Sequence, residues 1–584
     1  MVNIVTRSYA ADSLEKLISH GIHPILARVY AARGINEPGQ ITKDLSRLIP
    51  FWHLKNILEM ATLLADAITS EKRLLIVADY DSDGATACAV GIRGLREFGA
   101  IVSYLVPNRF EHGYGLTPEI VQLAANSTEG SRPDILITVD NGIASIEGVE
   151  EANRLGMQVF ITDHHLPGDK LPNATSIVNP NQPGCGFPSK NIAGVGVMFY
   201  LMLALRAEFR VRGRFLSDKE PNLANLLDLV ALGTVADVVK LDQNNRILVQ
   251  QGLYRIRSGR GCAGINSLFS IVRKNIKRAS TYELGYMLGP RLNAAGRLED
   301  MSLGVECLIT DNEIHAMRLS QQLDTLNLQR REIEIDMQNS AEKLIKKILI
   351  SPFLTQENRL PYSIVLYDSC WHQGVIGILA SRIKDKLNRP VIIFSSGKNK
   401  EIKGSGRSIP GFHIRDALDV VSKRHPSLLL KFGGHAAAAG LTIHQDNFDK
   451  FKDAFEKAAQ TLLTSGDLLR IIETDGDLNE SEMNIELAHN FAEQVWGQGF
   501  PYPIFNARFL VKHQYVVGGK HLKLKLRKVK SNTGESNSLH LYESMLFFYQ
   551  DSLPEEIDAV YRLNVNEYSG NDTLQLILDH WKPV

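Results

Sequence analysis

Val159-Phe160-Ile161-Thr162-Asp163-His164-His165 ends an apolar run in three metal-capable side chains. Its first half reads as a β-strand covered on both faces. Two earlier stretches stop in the same way: Leu74-Leu75-Ile76-Val77 leads into Asp79, Asp81 and Asp83, and Ile135-Leu136-Ile137-Thr138-Val139 leads into Asp140. Acids at the same end of several parallel strands point to a metal-dependent active site.

The segments between these runs set the fold class. Strands over Arg73–Ala78, Ile101–Val106, Ile135–Val139 and Gln158–Thr162 alternate with helices over Ala85–Phe98, from Pro118 and from Ser145. That rhythm predicts an α/β domain with a parallel, doubly wound sheet. Ligands of such sheets bind outside the carboxyl ends of the strands, where the aspartates fall.

The chain has 584 residues, which suits two to four domains. Its 65 basic and 65 acidic residues balance, so binding to a polyanion requires a local basic patch. Cys88, Cys185, Cys262, Cys307 and Cys370 are scattered without a C-x-x-C pair and read as reduced thiols, as in the cytoplasm. The N-terminus lacks a basic region followed by an apolar core, so no signal peptide is expected. No apolar run approaches the ~20 residues of a membrane span. The richest, Met198–Leu205, reads as a buried helix.

The expected organisation is a helical segment over 1–53, the parallel-sheet domain over 54–310, a connector over 311–350, a second α/β domain over 351–468 and a β-rich domain over 469–584. Leu319, Leu323, Leu326, Ile333, Met337, Leu344 and Ile348 keep three-four spacing, which predicts one long helix from Glu313. Thr310 and Glu313 are expected to form a capping box at its start. Two helices of an ordinary bundle are the alternative. In the second α/β domain, Ser363–Tyr367 and Val391–Phe394 read as strands flanking a Gly377–Leu387 helix, with glycine-rich turns at 404–408 and 433–435. The last domain reads as a small barrel or sandwich, with strands over Ala507–Val517, Leu522–Arg527, Tyr561–Glu567 and Thr573–Leu578. Ser569-Gly570-Asn571-Asp572 reads as the hairpin turn between the last two.

Asp79-Tyr80-Asp81-Ser82-Asp83-Gly84 matches the first half of an EF-hand loop, but Val90 stands where the bidentate glutamate belongs. Three acids within five residues repel one another unless a cation neutralises them. Asp140 alone could simply cap the next helix. His164 and His165 are neighbours, so in extended chain they point to opposite faces: one is expected to bind metal, the other to face substrate or support the ligands. Asp237, within an apolar stretch, needs a base or a metal. Carboxylates with imidazole and no thiolate favour Mn²⁺ or Mg²⁺. The number of acids suits two ions clamping a phosphoryl group.

Asp79-Tyr80-Asp81-Ser82-Asp83-Gly84, Val139-Asp140-Asn141-Gly142, Asp163-His164-His165 and Gly233-Thr234-Val235-Ala236-Asp237 resemble, in order, the four motifs of the DHH phosphoesterase superfamily. Trp371-His372-Gln373-Gly374-Val375-Ile376-Gly377 and Gly433-Gly434-His435 resemble its associated DHHA1 domain. Leu292-Asn293-Ala294-Ala295-Gly296-Arg297 and the long connector narrow the resemblance to the bacterial branch that degrades single-stranded DNA from its 5′ end.

The resemblance implies metal ligands at Asp81, Asp83, Asp140, His164 and Asp237, with catalytic or supporting roles for Asp79, Asp163, His165 and His435. Some members use a histidine just ahead of the first motif as a ligand; Val77 stands there, and Asp79 is a candidate to replace it. The resemblance also implies a 5′-phosphate pocket from Arg109, Ser405 and Arg407, with Arg291, Asn293 and Arg297 along the path of the strand. A plain flexible loop is the alternative for 404–408. Lys523, Lys525 and Arg527 alternate with Leu522, Leu524 and Leu526, so an OB-like barrel would present one basic face to DNA. Lysines that guard an edge strand are the alternative.

The expected function is 5′→3′ hydrolysis of single-stranded DNA to 5′-mononucleotides in repair and recombination, by a monomer in the cytoplasm. Single-strand-binding protein and a helicase are expected partners. The rival expectations are an oligoribonuclease or cyclic-dinucleotide phosphodiesterase, a pyrophosphatase, and a DNA-binding scaffold without catalysis.

Overall fold

The computed structural model describes residues 2–108, 111, 113, 115–126, 132–215, 220–350, 360–529, 540–567 and 571–584, with side chains of the long helix described to residue 347. Arg109, the Ile348 side chain and the proposed turn at Ser569 and Gly570 lie outside them. One compact unit comprises residues 6–324 and 473–584; the other comprises residues 2–5 and 325–472.

In the first unit, strands Arg73–Ala78, Ile101–Leu105, Ile135–Val139, Gln158–Thr162 and Ser176–Val178 pair in parallel. Numbered along the chain they lie in the order 2-1-3-4-5. The order reverses between the first and third strands, and crevices open at such switch points. Leu75, Val77, Leu136, Val159 and Ile161 pack against the Pro118–Asn126 and Ile146–Arg154 helices on one face. The Ser82–Glu97 and Gly194–Val211 helices cover the other. A Cβ at Gly91 would lie 2.7 Å from Ile76 and 2.8 Å from Met198, so glycine sets how closely those two helices meet the sheet.

The long helix runs from Glu313 to Ile350. Its start differs from expectation. Asn312, not Thr310, caps it, accepting the His315 N–H at 3.0 Å, while the Thr310 hydroxyl accepts the Asn312 N–H. Leu319, Leu323, Leu326 and Met337 are buried as their spacing requires. Met337, Ala341 and Ile345 pack on Leu366, Trp371 and Leu379 in the second unit.

The sheet of that unit has the order Lys431–Gly434, Ala438–His444, Glu401–Arg407, Val391–Ser396, Ile364–Tyr367; only the last pair is parallel. Residues 404–407 are therefore strand rather than turn, and so are Gly433 and Gly434. The reason is packing. A Cβ at Gly404 would meet Phe394 at 2.6 Å and Leu441 at 2.7 Å, and one at Gly406 would meet Ile414 at 2.6 Å. Large apolar neighbours fill the space a side chain would take.

Residues 505–583 form a closed barrel of strands Phe505–Val517, His521–Lys528, Tyr542–Leu546, Thr573–Pro583 and Glu556–Asn566. The Tyr542–Leu546 strand was not anticipated. Residues 6–53 are mainly helical and are tied to the C-terminal segment by Arg33, whose guanidinium holds both Asp475 carboxylate oxygens at 2.7 and 3.0 Å.

Candidate metal centre and strand-binding surfaces

Each acid is placed by a local device. Asp81 caps the Ser82–Glu97 helix, its Oδ1 accepting the N–H groups of Asp83 at 2.9 Å and Gly84 at 3.1 Å. Asp83 and Gly84 thus occupy the helix's first turn, which excludes a calcium loop. Asp83 is buried, and its two oxygens accept the Gly194 and Val195 N–H groups at 2.6 and 2.9 Å, at the N-terminus of the Gly194–Val211 helix. Asp140 does not cap the next helix, which starts at Ile146. It takes a left-handed conformation, φ 62°, where the strand ends, and Asn141 bonds the carbonyls of Val77 and Val139 behind it. Asp237 follows the Leu227–Ala236 helix.

His164 and His165 do not point to opposite faces. Their strand stops at Thr162, and the chain bends so that the two ring centroids lie 4.5 Å apart. The buried Asp163 makes the bend: its Oδ1 accepts both histidine N–H groups and stands 2.8 Å from His165 Nδ1, while its Oδ2 accepts the Ile143 N–H.

Three sets of side chains bring ligand atoms within 4.8 Å of one another: Asp140, His164 and His165; Asp83, His164 and Asp237; Asp79, Asp81 and Asp140. Asp140 and His164 each belong to two of the sets, and of the two only the carboxylate has lone pairs enough to serve two ions. Asp140 Oδ1 and His164 Nε2 lie 3.0 Å apart, buried, yet neither makes a hydrogen bond. His164 also bonds the Ile192 backbone, necessarily through its other nitrogen. Burial and the neighbouring His165 push its pKa down to about 4, so the ring is neutral. Two ligand-capable atoms thus face each other, and a cation bound by both would displace the Asp140 proton. The residues present fit a divalent metal.

The charges agree. Burial, with Asp81 next to it, raises Asp83 to about 7; burial and the surrounding aspartates raise Asp140 and Asp237 well above the usual range. A cation would replace those protons. Burial lowers the His165 pKa, but the bond to Asp163 and nearby acids outweigh it and bring it to about 9. His165 is thus a cation at neutral pH. Burial raises Asp163, but the His165 bond and the two imidazoles hold it below the ordinary carboxylate value.

Glycines shape this centre: Gly194 is not singled out in the sequence, and Gly233 and Gly296 stand out only as members of motifs. A Cβ at Gly194 would lie 2.7 Å from Asp140 Oδ1, and one at Gly233 would lie 2.1 Å from Thr86 Oγ1 and 3.0 Å from Asp83 Oδ1. The sequence signal for Gly194 is the Ile192-Ala193-Gly194-Val195-Gly196 run before an apolar helix. Asn293 accepts the Ser82 N–H at 2.8 Å, and Gly296 lets the Gly289–Leu298 helix lie on the Tyr80 carbonyl. Asn293 therefore braces the first acidic motif.

The expected DNA contacts are placed unevenly. Arg291, expected along the path of the strand, is buried, its fork held by Asp324 at 2.8 and 2.9 Å and by the Met287 carbonyl. Arg297 is half-buried on the helix of Asn293. In the second unit, Arg407 donates to Ser405 Oγ at 3.1 Å, and both side chains stand over Gly377 in the Ile376–Leu387 helix. His435 is exposed at the tip of the hairpin after Gly434, whose φ of 142° and tight fit against Ala438 require glycine. On the barrel, Leu522, Leu524 and Leu526 point inward and Lys523 and Lys525 outward. Glu543 on the adjacent strand pairs with both lysines, at 3.0 and 3.4 Å, and the Arg527 Nε is buried. The strand face is less basic than its sequence.

Residues 73–234 match the DHH family, N-terminal domain, residues 360–461 the DHHA1 domain and residues 474–580 the RecJ OB domain. The chain is 44% identical over 588 residues to the single-stranded-DNA-specific exonuclease RecJ of Dickeya dadantii, covering 100% of both chains. This chain belongs to the RecJ family. It is also 44% identical to Escherichia coli RecJ over 96% of each chain. The solved structure of Thermus thermophilus RecJ in complex with Mn²⁺ superposes with a TM-score of 0.79 at 28% identity, covering 100% of this chain and 79% of that one. The Mg²⁺ complex of the same RecJ gives 0.74 at 27% identity, covering 100% and 78%. RecJ relatives thus hold both ions expected from the acid-rich ligand set.

Proposed function

We propose that this chain hydrolyses single-stranded DNA from the 5′ end to 5′-mononucleotides, in repair and recombination. The observation that carries the reading is the buried Asp140–His164 pair, ringed by four more aspartates, a donor set that suits a divalent cation. Asp81, Asp83, Asp140, His164 and Asp237 would hold two divalent ions, with Asp79 as a further ligand in place of the histidine that Val77 replaces. Bound there, the ions supply an activated water and neutralise charge that develops on the phosphoryl oxygens.

The chain's own groups do the rest. His165, a cation fixed by Asp163, donates to a non-bridging oxygen of the scissile phosphate and orients it. Ser405 and Arg407 take the terminal 5′-phosphate, together with Arg109. Arg407 suits that role because the only groups described against it are the Ser405 hydroxyl and a backbone carbonyl, which leave its charge unneutralised. His435 serves the scissile phosphate from its exposed hairpin. Asn293 and Arg297 hold the strand beside the first motif, and Lys523, Lys525 and Arg527 add a modest electrostatic grip.

The barrel favours a long strand over a dinucleotide, and the complete acid set favours an enzyme over a scaffold. None of the described helices is long and apolar enough to cross a membrane. We place the enzyme in the cytoplasm with the DNA, as a monomer supplied with single strands by a helicase and single-strand-binding protein. The test is release of acid-soluble nucleotide from matched single-stranded and duplex oligonucleotides in Mn²⁺. Release from the single strand alone, abolished by EDTA, is expected. Equal release from blunt duplex would refute the substrate assignment.

A further inference from the structure

We propose that Tyr282 and Tyr286 form a stacking platform for bases of the bound strand, between the metal centre and the C-terminal barrel. This rests on the nuclease reading for its substrate and goes beyond it in naming how bases are held. The two rings are 50% and 71% exposed, and their centroids lie 5.1 Å apart, tilted by 32°. Large aromatic side chains normally bury their faces. Here two are left to solvent side by side, one turn apart.

Their setting points to a nucleic acid strand. They lie at the start of a continuous helical run, a π-turn over Glu283–Leu288 followed by the Gly289–Leu298 helix. Short π-turns gather at functional sites because they re-aim side chains. The run is pressed onto the end of the Leu227–Ala236 helix: a Cβ at Gly285 would lie 3.2 Å from Val235, and one at Gly289 would lie 3.1 Å from Ala236, just before Asp237. Further along, the same run carries Asn293, which braces Ser82, and Arg297. Helical spacing sets Asn293 and Arg297 on one side of the Gly289–Leu298 helix.

On the other flank, Thr281 donates to the Trp496 carbonyl at 2.7 Å, and Arg278 pairs with Glu567 and Asp572 on the barrel. Exposed Arg273, Lys274 and Lys277 precede the tyrosines. Exposed cations that lead into open aromatic rings along the chain suit a phosphate backbone with unpaired bases. Stacking of this kind is tolerant of sequence because every base has a π-face. An apolar protein partner would have no use for the cations.

The experiment measures affinity of the full chain, in Mn²⁺, for a single-stranded oligonucleotide with phosphorothioate linkages and for the same backbone with abasic sites. The double variant Y282A/Y286A is expected to lose about tenfold in affinity per ring on the base-bearing strand and little on the abasic one. The variant Y282F/Y286F keeps the rings and is expected to bind like the parent, and the salt dependence should be unchanged in all three. Parent-like binding by the alanine variant, equal losses on both strands, or a phenylalanine variant as weak as the alanine one would each overturn the platform. Hydrolysis of an unmodified strand is scored separately. A parent that binds but never cleaves would refute the nuclease reading and leave the stacking comparison intact.

Discussion

Asp140→Ala is expected to lower Mn²⁺-dependent nucleotide release by on the order of a thousandfold or more, while the protein stays folded. Asp140 is buried, belongs to two of the three ligand groups, and faces His164 Nε2 at 3.0 Å with no hydrogen bond between them. On the proposed assignment, its removal would deprive the metal site of a central ligand. Asp140→Asn is the companion variant, because asparagine tolerates the left-handed φ of 62° better than alanine does. The same loss in both would assign the effect to the charge rather than the backbone. Activity within a few fold of the parent in either would remove Asp140 from the site.

The pH dependence of stability gives an independent reading of the same variants. Asp83, Asp140 and Asp237 all have folded-state pKa values above the ordinary carboxylate value, Asp83 rising from 3.8 to about 7. Between those limits the folded state holds more protons than the unfolded one. Stability of the metal-free protein from these groups is therefore present at low pH and is lost as pH rises through that window. Mn²⁺ should raise the melting temperature more near pH 8 than near pH 5, and Asp140→Asn should shrink that difference.

Gly296→Ala is the second large effect. A Cβ at this position would sit 1.9 Å from the Tyr80 carbonyl oxygen, within the first acidic motif. Backbone stands on both sides of that contact, so no side chain can rotate away. Either the Gly289–Leu298 helix lifts or the Asp79–Asp81 loop shifts, and Asn293 loses its bond to Ser82 in both cases. The expected cost is about 2–3 kcal/mol of stability by urea unfolding. Specific activity of the remaining folded protein should fall at least about tenfold, since small misplacements at a catalytic centre are costly. Parent-like unfolding and turnover would contradict the close approach.

The strands were legible because a parallel sheet buried on both faces writes itself as continuous apolar runs, and their ends located the acids. What escaped needs contacts far apart in sequence. Gly233 and Gly194 look like ordinary helical glycines until Thr86 and Asp140 are brought against them. Gly404 and Gly406 suggested a turn because glycine usually marks one, whereas Phe394, Leu441 and Ile414 make it the only residue that fits. Lys523 and Lys525 looked like a basic ridge because Glu543 lies on another strand, and that strand, Tyr542–Leu546, was itself missed. The histidine pair was misjudged because extended geometry was carried one residue past the strand's end. The pairing of Arg291 with Asp324, 33 residues away, is likewise invisible in the sequence.

The central claim is that this site removes nucleotides from single-stranded DNA starting at the 5′ end. A time course in Mn²⁺ on one oligonucleotide, labelled at its 5′ end in one sample and its 3′ end in the other, tests it most directly. The account predicts that the 5′ label appears at once as mononucleotide, while the 3′ label passes through a ladder of shortening strands. Immediate release of the 3′ label, or internal cuts that free neither label as mononucleotide, would contradict it.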